Sequence, residues 1–252
     1  MIEISRTTLF ADALPIAWYE MGSGRPTLLL HGGAGPGSMM GLATGLAARG
    51  RRAIIPVYPG FDGEPRPSWF HRIDDLAIMA LALIEWLEIG DVSLIGNSVG
   101  GWLAIETGLR RSPRIAEQVI IDAVGLDPTP EGGGIVDPAT LPPALLLAHS
   151  FHDPSRALVP RDAAAATTMA NNQRALRVYA GEPFMHDPSL RGRLSSVNIP
   201  TLVLWGESDR IVTPAYGQQF ATLIPHARMQ SIAAAGHFPQ IEQLDDVLAA
   251  IR

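Results

Sequence analysis

Apolar residues fall along this chain in two rhythms. Near the start they alternate with polar ones, at residues 2–4 and again at 16–20, with Asp12 and Pro15 between them, the spacing of two short strands joined as an edge hairpin. Beyond Gly22-Ser23-Gly24 they gather into short continuous runs at 27–30, 53–57, 92–95, 118–121, 201–205 and 229–233, which suit strands covered on both faces. Between these runs, the stretches 39–48, 73–87, 99–109, 215–223 and 241–251 carry apolar residues at helical spacing. In 73–87, for instance, Ile73, Leu76, Ala77, Ala80, Leu81 and Ile84 share one stripe while Asp74, Asp75 and Glu85 lie outside it. Strand followed by helix, repeated this often, predicts an α/β fold with a mostly parallel eight-stranded sheet flanked by helices.

One interval breaks the alternation. From 126 to 198 no buried strand is expected, the start is rich in Pro and Gly, and a helical stretch at 162–179 is bounded by Pro160 and Gly181-Glu182-Pro183. A structureless connection of that length is improbable in a compact domain. The reading is therefore a core made of 1–125 and 199–252, with 126–198 inserted as a helical cap on the carboxyl edge of the sheet.

Composition removes several classes of chemistry. All 19 cationic residues are Arg, which excludes a Schiff-base lysine and the lysine of a phosphate-binding Walker loop. The absence of Cys excludes thiol nucleophiles, thiolate metal sites and disulfides. A net charge of -6 with scattered arginines gives no footprint for nucleic acid. No apolar run reaches the roughly 18 to 20 residues of a membrane helix, and Met1 to Arg6 does not read as a secretory signal, so a cytoplasmic protein with no membrane partner is expected. Oligomeric state has no signature in the sequence.

The strongest chemical signal is Gly96-Asn97-Ser98-Val99-Gly100-Gly101, set between a buried strand and a helix. Small residues two before and two after a serine let the backbone turn sharply and lift the hydroxyl above a sheet. A serine nucleophile needs a histidine to take its proton and a carboxylate to orient that histidine. His237, in Ala235-Gly236-His237-Phe238-Pro239, and Asp209, in Glu207-Ser208-Asp209, both follow apolar strands and precede helices, which puts them in loops at the carboxyl edge. Asp122, at the end of the strand 118–121, and Glu207 compete for the acid role. Asp209 is preferred because its loop leads through Ile211-Val212-Thr213-Pro214 into a helix.

Acyl transfer also needs backbone N–H groups aimed at the developing oxyanion. The amide of Val99, just after the serine, and that of Gly33, in the loop His31-Gly32-Gly33-Ala34-Gly35-Pro36-Gly37, are the expected donors. The same loop lacks the G-x-G-x-x-G order of a dinucleotide site. Asn97 and Phe238, the neighbours of the serine and the histidine, are the expected substrate contacts. His149 and His152 share a face if their stretch is helical, but apart from Asp153 no carboxylate accompanies them at metal spacing, so no metal is expected, and no constellation calls for an organic cofactor. A small-molecule substrate is the expected partner.

Taken together, the glycine loop at His31, the serine motif and the order Ser98, Asp209, His237 resemble the α/β-hydrolase superfamily over nearly the whole chain. The resemblance implies the α/β-hydrolase fold and a serine hydrolase acting through an acyl-enzyme on Ser98. Within the superfamily the first two motifs resemble the meta-cleavage-product hydrolases, which cut carbon–carbon bonds in dienoic acids, and their esterase relatives. Those C–C hydrolases usually have Trp after the histidine and an arginine in the cap for the substrate carboxylate. Here Phe238 follows His237, and the cap offers Arg156, Arg161, Arg174 and Arg177. A small carboxylic ester is thus the expected substrate. C–C hydrolysis, cofactor-free perhydrolase or haloperoxidase chemistry and, last, ligand binding without turnover are the alternatives.

Overall fold

The computed structural model describes residues 3–251; Met1, Arg252 and the Ile2 end of the expected first strand lie outside the described residues. Among the described residues eight strands form one sheet: β1 (Glu3–Leu9), β2 (Leu14–Met21), β3 (Arg25–Leu30), β4 (Arg51–Val57), β5 (Val92–Asn97), β6 (Ile115–Ile121), β7 (Thr201–Gly206) and β8 (Arg228–Ile232). Their order across the sheet is β1-β2-β4-β3-β5-β6-β7-β8. β2 runs antiparallel to β1 and to β4, and every other neighbouring pair is parallel.

The helices are α1 (Met40–Ala48), α2 (Ile73–Trp86), α3 (Val99–Leu109), α4 (Pro143–Ser150), α5 (Ala163–Ala180), α6 (Leu190–Arg193), α7 (Pro214–Leu223), α8 (Pro239–Glu242) and α9 (Leu244–Ala250). Strand pleating sorts the central side chains into two apolar layers. Leu28 and Leu30, Leu94, Ile120, and Val203 and Trp205 face the layer built with α2, α3 and α7. Leu29, Ile95, Val119 and Ile121, and Leu202 and Leu204 face the layer built with α1 and α9. Burial of each such aliphatic side chain is worth about 2 kcal/mol, and it leaves the central strands with no tolerance for a slip of one residue.

Two expectations need correction. The run 229–233 is not covered on both faces: β8 is the edge strand, and Gln230 and Ser231 are exposed. The expected helix 241–251 is broken at Gln243 (φ −133°, ψ 56°), so that α8 and α9 are separate. Gln243 instead sends its side-chain amide to the carbonyl of Ala234, 3.0 Å away in the loop after β8.

The long connection from β6 to β7 carries α4, α5 and α6 and no named strand. Asp162 caps α5 by accepting the N–H of Ala165 at 2.8 Å, and Gly181 ends it at φ 69°. The helix is tied down at three points. Asn172 and Asp62 exchange two hydrogen bonds, 2.8 and 2.9 Å, the Tyr179 hydroxyl donates to the carbonyl of Pro59 at 2.8 Å, and Leu176 lies against Gly33. These contacts hold α5 over the carboxyl edge of the sheet.

Candidate active site

Ser98 sits between β5 and α3 at φ 57° and ψ −120°, a conformation that costs an L-residue of order 1 to 3 kcal/mol and that only dense surroundings can enforce. The surroundings supply it. A Cβ on Gly96 would collide with the carbonyl of Gly100, and one on Gly100 would collide with the carbonyl of Leu30. The two glycines therefore let the turn press against its own helix and the neighbouring strand, which leaves the serine at the sheet edge, 9% exposed.

His237 follows β8, and its Nδ1 lies 2.8 Å from Oδ2 of Asp209, in the loop after β7. The other oxygen of Asp209 accepts the N–H groups of Ile211 (2.8 Å) and Val212 (3.1 Å), so the carboxylate is fixed before it meets the ring. The Nδ1–H of His237 then points at Asp209, which leaves Nε2 as the proton acceptor. The histidine loop is pinned as well. His237 N–H donates to the carbonyl of Ser150 at 2.7 Å, and buried Glu242 accepts the N–H groups of Gly236 (2.6 Å), His152 (3.2 Å) and Asp153 (2.8 Å). Glu242 was invisible in the sequence, where it reads as one more acid on a helical stretch.

The two rival acids separate cleanly. Glu207 is exposed and makes no contact with His237, whereas Asp122 is fully buried beside Asp209. Burial and the Asp209 charge push the Asp122 carboxyl well above the ordinary carboxylate range. Among the described residues, Asp122, Asp209 and His237 are the one group whose potential ligand atoms lie within 4.8 Å of each other. Within the group His237 Nδ1 meets Oδ2 of Asp209, while Oδ1 of Asp209 and Oδ1 of Asp122 are taken up by backbone N–H groups.

Asn97, expected as a substrate contact, does not line the cavity over Ser98. The strand directs its side chain into the protein, where it is fully buried, and its amide donates to the carbonyls of Ile121 (3.2 Å) and His237 (3.0 Å). It braces the histidine loop instead. Phe238 does line the cavity over Ser98, stacked on Phe151 with ring centroids 5.1 Å apart.

The loop after β3 is anchored by His31. Its Nδ1 lies 2.8 Å from the carbonyl of Gly32, its Nε2 accepts the Tyr58 N–H at 3.4 Å, and its ring stacks on Tyr58 at 3.7 Å. Complete burial lowers its pKa to about 3, so the ring is neutral and serves as a structural acceptor. Gly33 borders the cavity next to Ser98, and the N–H of Val99 is at the first position of α3, where backbone donors have no partner inside the helix. Neither amide donates to another protein group among the described residues.

A family model described as "Alpha/beta hydrolase family" matches residues 27–250, a span that includes every one of these residues. The chain belongs to the alpha/beta hydrolase family. It is 27% identical to 2-hydroxy-6-oxo-2,4-heptadienoate hydrolase of Pseudomonas putida, over 98% of this chain and 97% of that one. It is 25% identical to Lipase 3 of a Moraxella species, over 97% and 82% of the two chains. Among solved structures, a bromoperoxidase from Bacillus anthracis superposes with a TM-score of 0.80 at 22% identity, covering 98% of each chain.

In this alpha/beta hydrolase, Ser98 and His237 open into one cavity of about 200 Å³. Leu146, Leu147, Phe151, Met169 and Phe238 line it, joined by Leu158, Leu176, Met185 and Ile211. None of the described arginines does. Arg177 is paired with Asp137 at 3.0 Å, and Arg174 is hydrogen-bonded to Asn171 at 2.6 Å. Val178 and Tyr179, also on α5, line a separate depression of about 670 Å³. There Arg193 already spans Glu106 and Asp187, at 2.7 and 2.6 Å, so its main charges are matched internally.

Proposed function

We propose that this hydrolase cleaves a small, uncharged carboxylic ester with an apolar acyl group, through an acyl-enzyme on Ser98. In this mechanism His237 accepts the hydroxyl proton of Ser98 as the oxygen attacks the acyl carbonyl. Asp209 holds the ring and balances its charge, while the N–H groups of Gly33 and Val99 bind the oxyanion. The imidazolium then gives its proton to the leaving alcohol, and water activated by the same nitrogen releases the acid. The β6–β7 connection acts as the cap whose inner surface selects the acyl group.

The observation that carries the reading is the lining of the cavity. A dienoate or other carboxylate would be taken out of water there with no cation to meet it, at a cost of several kcal/mol, whereas an alkyl chain would gain about 0.8 kcal/mol for each methylene buried. Leu145, Leu158 and Val159 add exposed apolar surface in the same connection. C–C hydrolysis is the second reading, favoured by the name of the Pseudomonas putida relative, which spans the whole chain.

Hydrolysis of p-nitrophenyl esters from acetate to dodecanoate, with a dienoic ring-fission product in parallel, separates the two. Turnover of the esters, strongest at medium chain length and lost in Ser98→Ala, is expected. Turnover of the dienoate alone would replace this reading with the second.

A further inference from the structure

Asp122 has no assigned task, yet it directly follows β6 and comes within 4.8 Å of Asp209 and His237. It is completely buried, and its Oδ1 accepts a single N–H, that of Gly206 at 3.0 Å. Its Oδ2 is buried and finds no donor. The groups that face it are Asp209 and His237, within 4.8 Å, and more remotely the Glu242 carboxylate; no cation stands among them. Two buried carboxylates this close together, with no cation between them, oppose each other's ionisation, so one of them holds its proton.

The partners decide which. Asp209 receives two backbone N–H groups and the ring N–H of His237, three donors that favour a carboxylate, whereas Asp122 receives one. We propose that Asp122 is a neutral carboxylic acid that donates its proton as a hydrogen bond to Asp209, positioning the carboxylate that orients His237. The inference rests on the reading of Ser98, Asp209 and His237 as the catalytic set. Asp122 is a positioning residue and touches no substrate. Its neutrality has a purpose: a second negative charge this close to the ring would hold the imidazolium form, and a protonated Nε2 cannot accept the proton of Ser98. One acid hydrogen bond steadies Asp209 without adding that charge.

Asp122→Asn keeps the shape and an N–H donor but cannot ionise, and Asp122→Leu keeps the volume without a donor. Asp122→Asn is expected to retain ester turnover within about threefold, while Asp122→Leu loses about ten- to hundredfold in kcat, the worth of a hydrogen bond to a charged group. Two readouts need no substrate. An infrared difference spectrum of wild type minus Asp122→Asn, near pH 8, is expected to contain the C=O stretch of a protonated carboxylic acid.

Because wild type must then take up a proton on folding above the ordinary Asp range, its stability falls relative to Asp122→Asn as pH rises. The gap in Tm should widen by about 5 °C or more from pH 5 to pH 8. A spectrum without the acid band together with a constant gap would overturn the proposal, as would full activity in Asp122→Leu. If wild type hydrolyses no ester, the proposed substrate fails while the infrared and Tm results still decide the protonation of Asp122.

Discussion

Ser98, Asp209 and His237 stand on turns shaped by backbone contacts, whereas the α5 residues facing them across the cavity are held by side-chain bonds to distant loops. In the floor, a methyl group at Gly96 or Gly100 meets carbonyl oxygen at once, and the histidine loop is closed by main-chain and carboxylate bonds. In the roof, five large apolar residues between 145 and 169 remain substantially exposed. A floor defined by sterics fixes where a reaction takes place. On the proposed reading, a roof defined by replaceable side chains sets what enters, and can change without disturbing the chemistry.

Breaking the floor should produce the largest effects. Ser98→Ala should fold normally, with an unchanged Tm, and lose about 10³-fold or more of ester turnover, above 4 kcal/mol in the barrier. Gly100→Ala forces its methyl into the carbonyl of Leu30, and about 3 kcal/mol of destabilisation should appear as a Tm lowered by some 6–12 °C or as insoluble protein.

Acid attacks the floor through His31. Its folded pKa, about 3, is below its ordinary value of 6.5, so the unfolded chain binds the extra proton and stability falls as pH drops from about 6.5 toward 3. Urea melts at pH 6 and pH 4 should show this as up to about 1.4 kcal/mol for each pH unit, a slope that His31→Gln flattens. Glu242→Ala strips three backbone N–H groups of their acceptor, and should cost about 2 kcal/mol in stability and roughly tenfold in kcat, read by melting and ester kinetics.

The roof should answer more quietly and in a different parameter. Met169→Trp narrows the cavity from α5 and should raise KM for octanoyl and longer esters about fivefold, with kcat on the acetyl ester within about twofold. If instead this change lowered kcat on every ester alike, roof and floor would not be separable.

The same contrast explains what could be read in advance. The floor is local: the serine turn needs Gly96 and Gly100 within two residues, and the strands that end at Ser98, Asp209 and His237 announce themselves as short apolar runs. Sheet, chain order and most helices follow from such short-range patterns. The roof is joined over long distances, Asn172 to Asp62 across 110 residues and Tyr179 to Pro59 across 120, and nothing near Asn172 signals its partner. The hold of Glu242 on His152 and Asp153, 90 and 89 residues away, was hidden for the same reason. Asn97 misled in the opposite direction, since nearness to Ser98 in sequence does not tell which way a strand residue points.

The bond from His237 N–H to the carbonyl of Ser150, with Glu242 holding His152 and Asp153, marks a natural seam for building chimeras. A foreign lid spliced in after Asp153 would inherit the anchored segment 150–153 intact. The recipient would keep its histidine in register, and with it the Leu146, Leu147 and Phe151 side of the cavity, while acquiring a new α5 side, so on the proposed reading part of its substrate range could be transplanted as a cassette rather than redesigned residue by residue.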